Sequence, residues 1–151
     1  MRKLKMQRFF NLFFFAGIAL SFVIPVIFYK AFNSSKSVAI PTSNSSLDGI
    51  IYHIDECNIE KNKVFVRGWA TPITGYGQNL VYAKTQKKSY ILRTSIQERQ
   101  DVSAVMKKTG VYDKSGYISS LALPDDERVL KIFIITKEGD KIYSVETNCG
   151  K

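Results

Sequence analysis

Residues 129–147, VLKIFIITKEGDKIYSVET, decide the fold. Val129–Ile135 is apolar at six of seven positions, and β-branched residues dominate it. Lys141–Thr147 is a second short run rich in Val, Ile and Tyr, and Lys137-Glu138-Gly139-Asp140 between them has turn chemistry. The spacing predicts two strands, Val129–Thr136 and Lys141–Thr147, joined as a hairpin. The near-continuous apolar run predicts a central strand covered on both faces, with Lys131 reaching an edge.

The same pattern extends upstream. Ile50–Glu56, Val64–Ala70, Leu80–Thr85, Ser89–Thr94 and Tyr117–Leu121 complete a set of seven predicted strands. Glu60-Lys61-Asn62-Lys63 and Gln86-Lys87-Lys88 have the composition of further hairpin connections. Residues 49–151 thus read as one all-β domain, an immunoglobulin-like sandwich of about seven strands, with a small barrel fitting the same strand spacing. In Val64–Ala70, Val64, Val66 and Gly68 share one face while Phe65, Arg67 and Trp69 share the other. A bulge at Gly68 would turn Trp69 inward. One short helix interrupts the strands: Asp101 is placed to cap it, Val102, Val105 and Met106 form its apolar face, and Gly110 stops it.

Ahead of the domain lies Phe9–Tyr29, 21 nearly all apolar residues behind the basic cluster Arg2, Lys3, Lys5 and Arg8. A helix of that length rises about 31 Å, which matches the hydrocarbon thickness of a bilayer. Basic flanks stay cytoplasmic, so residues 1–8 are expected in the cytoplasm, 9–29 in the membrane and the rest outside the cytoplasm. The apolar core exceeds that of a cleaved signal peptide, which favours an uncleaved single-pass anchor. Residues 30–48 are Ser-, Thr- and Asn-rich and read as a flexible linker. Asn33-Ser34-Ser35 and Asn44-Ser45-Ser46 match the glycosylation sequon, a match that Ser/Asn-rich linkers make by chance.

Net charge is +9, of which residues 1–48 contribute +5. Over half of the basicity is therefore topological, and nucleic acid is not an expected partner. The two cysteines, Cys57 after the first strand and Cys149 after the last, are expected to pair as a structural disulfide in an oxidising compartment. One histidine and no close cysteine pair supply neither a zinc site nor a redox motif. No cofactor is expected.

Three segments, Val66-Arg67-Gly68-Trp69-Ala70, Arg99-Gln100-Asp101-Val102 and Ser115-Gly116-Tyr117, resemble an immunoglobulin-like β-sandwich module attached to bacterial glycosyltransferases and related surface-glycan enzymes. In that module a Gly-Trp-Ala strand precedes an Arg-x-Asp-Val segment and a Gly-aromatic strand, and the resemblance covers about residues 50–147. It implies a non-catalytic accessory module whose structural motif here is Gly68, Arg99, Asp101, Gly116 and Tyr117. In this chain a membrane anchor stands where the transferase would. The expected function is a membrane-anchored binding or assembly module, partnered by a glycan, a membrane glycosyltransferase or another envelope protein. A structural subunit acting through its span is the alternative.

Chemistry-bearing residues are few. His53 and Asp55 share a strand face and could orient a general base, which makes a small hydrolase a further alternative, but no nucleophile elbow accompanies them. They read as surface residues. Asp125-Asp126-Glu127 lacks the alternating spacing of a calcium loop and reads as a solvated turn. Trp69, Tyr76 and Tyr82 are candidates for stacking on a ligand, against the plainer reading of core packing and exposed tyrosines. Gly75-Tyr76-Gly77 reads as a mobile loop carrying an exposed aromatic.

Overall fold

The computed structural model describes residues 2–124 and 127–149; for residues 2–10, 32 and 33 it describes the backbone alone. The chain divides into two units, residues 1–34 and 35–151. The first is helix α1 (Arg2–Asn33), longer at both ends than the apolar run from which it was expected. It contains one stretch, Asn11–Ala31, long and apolar enough to cross a membrane, and none of that stretch is buried. Pro25 lies inside it and lacks the amide that would bond the Ser21 carbonyl.

The second unit is mostly β. Its strands are β1 (Ile50–Glu60), β2 (Lys63–Pro72), β3 (Gln78–Thr85), β4 (Ser89–Ile91), β5 (Arg93–Gln97), β6 (Gly116–Ala122), β7 (Val129–Glu138) and β8 (Lys141–Thr147), with helix α2 (Gln100–Val105) between β5 and β6. They form two antiparallel four-stranded sheets, ordered β1-β2-β6-β5 and β4-β3-β7-β8. Eight strands replace the seven expected because Ser89–Thr94 divides. Tyr90 and Leu92 alternate inward without a break, so the sequence carries no signal of the division. Leu92 is buried at the corner, its amide still bonded to Val81, while β4 joins β3 and β5 joins β6.

The core lies between the sheets. Val64, Val66, Ala70, Tyr117 and Leu121 from one sheet meet Val81, Ala83, Ile132, Ile134, Tyr143 and Val145 from the other. β7 is central, as its composition requires: Ile132 and Ile134 face the core, Ile135 is buried on the opposite face, and Lys131 pairs with Glu146. Cys57 and Cys149 are disulfide-bonded, with Cα atoms 5.2 Å apart. The tight turns use positive φ at Lys61 in the β1–β2 hairpin and at Gly139 in the β7–β8 hairpin.

Part of the stretch read as a flexible linker is docked on the domain. Ser37 bridges Tyr90, and the Val38 amide bonds Ser89 O at 2.9 Å, so this segment extends the β4 edge. Seven residues on, Asn44 Nδ2 donates to Asp140 O at 2.8 Å, and Asn44 Oδ1 accepts the Ile142 amide at 2.7 Å, at the far end of β8. The segment therefore runs diagonally across the outer face of the β4-β3-β7-β8 sheet, from one edge and end to the other. It explains why Tyr82 and Ile135, which point away from the core, are 3% and 0% exposed. The side-chain amide of Asn44 serves both bonds, so its sequon is a structural strap contact.

Candidate functional site

The β2–β3 loop, the α2 segment and the β7–β8 hairpin gather at one end of the sandwich. The point where the strap first meets β4 is at the other end. Two features stand out at the loop end: a cleft beside α2, and a loop that exposes large apolar side chains.

The cleft is built on the outer face of β1 and β2. β2 carries Val64, Val66, Gly68 and Ala70 inward, so Phe65, Arg67 and Trp69 face out. The expected inward turn of Trp69 does not occur. The bulge lies on the neighbouring strand: Ile54 pairs with Gly68 and Glu56 with Arg67, leaving Asp55 as the extra residue. Gly68 is what permits it, since a Cβ there would stand 2.3 Å from the His53 carbonyl and 2.9 Å from the Tyr117 hydroxyl. Trp69 stays opposite His53 in register. These two, with Asp101, Val102, Val105 and Met106 of the α2 segment, line a cleft of about 270 Å³.

α2 is held differently from the expectation. Arg99 occupies the N-cap position without a side-chain capping bond, and Asp101 sits inside the first turn. Asp101 spends its carboxylate on Arg99: Nε to Oδ1 at 2.9 Å and Nη2 to Oδ2 at 2.8 Å. Arg99 Nη1 donates to Asp55 Oδ2 at 2.6 Å, so one guanidinium ties the β1 bulge to α2. A Cβ on Gly116 would lie 2.6 Å from Arg99 Cγ, so that glycine leaves the arginine its path. The hydrogen bond from Arg99, foremost, lowers the Asp101 pKa; the same bond raises that of Arg99. Burial, with the nearby Asp55 charge, raises that of Tyr117, whose hydroxyl has no hydrogen-bond partner among the described residues. Gly68, Arg99, Asp101, Gly116 and Tyr117, far apart in sequence, thus form one packed assembly.

The helix ends at Val105, where Lys107 takes φ +54°, and Gly110 falls in the turn beyond. Of its expected apolar face, Val102 is buried while Val105 is 80% exposed. His53 Nε2 stands 3.8 Å from Asp55 Oδ1. No hydroxyl or thiol is found among the described residues lining the cleft beside this pair.

The three aromatic candidates are not brought together. Trp69 floors the cleft, Tyr82 is buried beneath the strap with its pKa raised by burial, and Tyr76 sits in the β2–β3 loop. Burial removes Tyr82 as a ligand-stacking residue. The loop itself is pinned. Thr71 Oγ1 donates to Gly75 O at 2.7 Å, and Thr74 Oγ1 donates to the Glu138 carboxylate at 2.7 Å. Tyr112 Oη and Lys108 Nζ both bond Ile73 O, at 2.9 and 3.3 Å. Ile73 and Tyr76 nevertheless remain 47% and 41% exposed.

Tyr112 and Asn79 are the residues that sequence reading missed here. Asn79 Nδ2 donates to Ala70 O and Ser115 O, both at 2.8 Å, and Thr136 Oγ1 donates to its Oδ1 at 2.6 Å. It joins both sheets beneath the loop, and a polar residue at a strand start gives no sign of that. Among the described residues no group of three or more His, Cys, Asp or Glu side chains could hold a metal ion. Asp125 and Asp126 of the acidic run lie outside the described residues, while the Glu127 carboxylate accepts the Tyr90 hydroxyl at 3.1 Å. Comparison with protein-family models, characterised proteins and solved structures gives no match.

Proposed function

We propose that this chain is a membrane-tethered, non-catalytic binding or assembly module of a bacterial envelope. Its amino terminus is cytoplasmic, and its immunoglobulin-like sandwich stands in the periplasm. There it engages a membrane protein of surface-glycan assembly, a glycosyltransferase or another envelope protein. Strand order supports the immunoglobulin-like part. With β1, β2, β3, β5, β6, β7 and β8 lettered A to G, the sheets read A-B-E-D and C-F-G, with β4 as an added strand beside C. The disulfide and the tryptophan depart from antibody domains: the bridge links β1 to the segment after β8, and Trp69 lies on an outer face.

The observation that carries the binding reading is the pinned β2–β3 loop. It holds Ile73 and Tyr76 in solvent by side-chain bonds from Thr71, Thr74 and Tyr112. An apolar surface that is already ordered loses little conformational entropy when a partner covers it. The test is affinity purification of the tagged full-length protein from detergent-solubilised native membranes, with mass spectrometry, beside an Ile73→Asp/Tyr76→Ala variant. An envelope protein should accompany the parent and be lost from the variant. A partner retained by the variant, but lost when Phe9–Tyr29 is exchanged for an unrelated span, would assign the contacts to the span instead.

A further inference from the structure

We infer that the cleft between α2 and the outer face of β1–β2 receives a guanidinium or ammonium group on an aliphatic stem, supplied by an arginine or lysine side chain of a partner protein. This goes beyond the module reading and does not depend on the partner's belonging to glycan assembly. The cleft's volume, about 270 Å³, is at or below the lower end of pockets that enclose a drug-sized molecule, and it suits one long side chain. Trp69, Val102, Val105 and Met106 make its surface apolar, which matches the methylene stem of such a residue.

Charge selects the head group. Among the described residues lining the cleft, the one carrying a formal charge is Asp101, with its side chain 62% exposed. Its counter-charge, Arg99, is 16% exposed and binds Asp55 and Asp101 together. The accessible rim is therefore negative. Both Asp101 oxygens accept from Arg99, and the exposure of the carboxylate leaves it open to the approach of a second cation. A cation resting between that rim and the Trp69 ring also gains from the ring's quadrupole, and a planar guanidinium stacks there better than an ammonium. A neutral apolar side chain would cover the rim without replacing the water it loses, and an acidic one would be repelled.

Trp69 is the single tryptophan of the chain, so its fluorescence in the full-length, detergent-solubilised protein reports this cleft alone. The probes are N-acetyl-arginine amide, its neutral analogue N-acetyl-norleucine amide, and methyl glucoside. The arginine derivative should give a saturable change and bind more tightly than either other probe. Val105 is exposed enough to be exchanged without disturbing the fold. Val105→Glu should tighten arginine binding and Val105→Lys weaken it, each by roughly two- to fivefold, the range for exposed charge pairs. An apolar slot would prefer the norleucine derivative and lose affinity with both variants, and a saccharide site would answer to the glucoside. Either pattern, or no saturable response to the arginine probe, overturns the inference.

Discussion

Alanine at Gly68 would place a methyl group where the structure has room for a hydrogen. The added carbon would stand 2.3 Å from the His53 carbonyl oxygen, 2.9 Å from the Tyr117 hydroxyl and 3.1 Å from Ile54 Cα. Two of these neighbours are backbone atoms of β1, which cannot rotate aside as a side chain would. Relief requires β1 and β2 to part around the Asp55 bulge, loosening the pairs on either side. Overpacking a filled site costs about 1–3 kcal/mol, and the backbone neighbours place this substitution near about 3 kcal/mol. For a folded unit of this size that corresponds to a fall in Tm of roughly 10–15 °C. Thermal unfolding of the full-length protein in detergent, followed by Trp69 fluorescence, measures it beside the clash. Gly75→Ala is the control: its nearest neighbour would be Glu138 Oε1 at 3.8 Å, and stability should move by less than about 0.5 kcal/mol. Adding Tyr117→Phe to Gly68→Ala removes the hydroxyl contact but leaves the His53 carbonyl in place. Full recovery in that double variant would show the hydroxyl to be the obstacle, and a Gly68→Ala protein as stable as its parent would refute the reasoning altogether.

Three further outcomes are expected. The Cys57–Cys149 bridge closes a loop of sequence separation 92, so replacing both cysteines by alanine should cost up to about 4–5 kcal/mol in the chain-entropy account, read from the urea midpoint. Asn44→Ala removes two strap hydrogen bonds at about 1 kcal/mol each, and amide exchange at Val38 and Ile142 should accelerate while Ile134 stays protected. Arg99 lowers the Asp101 pKa in the folded state, so the stability this pair contributes is present above the unfolded value of 3.8. It should be lost as pH falls from there through the lower folded value, and Asp101→Asn should remove that part of the acid sensitivity.

The sheet-forming runs and the disulfide were legible because each depends on local composition or on simple pairing arithmetic. The central place of β7 was legible for the same reason, since Val129–Ile135 is too apolar for an exposed face. Partner strands were not. Gly68 does mark a bulge, yet the extra residue is Asp55 on β1, and one strand's sequence cannot say on which side of a ladder the irregularity falls. Tyr82 alternates like a solvent-facing residue, and only the strap from 40 residues upstream makes it interior. That strap hides in a Ser/Asn-rich composition indistinguishable from a free linker, because its two anchors are a short β bridge and one asparagine side chain. The motif residues were legible as a set, whereas their convergence around Arg99 required the fold.

The strap also stores length. While it is docked, residues 34–36 are all that separates the last turn of α1 from the first paired residue of the sandwich unit. That is about 10 Å of extended chain. The strap lies outside the loop closed by Cys57 and Cys149, so it can peel from the sheet without loosening the covalently closed sandwich. Once it has peeled, residues 34–46 become tether, with a contour of about 45 Å, while Gly49 O still accepts the Ile73 amide. Tension on the chain would meet the Ser37 bridge and the Val38 amide first and the Asn44 bonds next, and release of both anchors would lengthen the leash roughly fourfold before any strand of the core gave way.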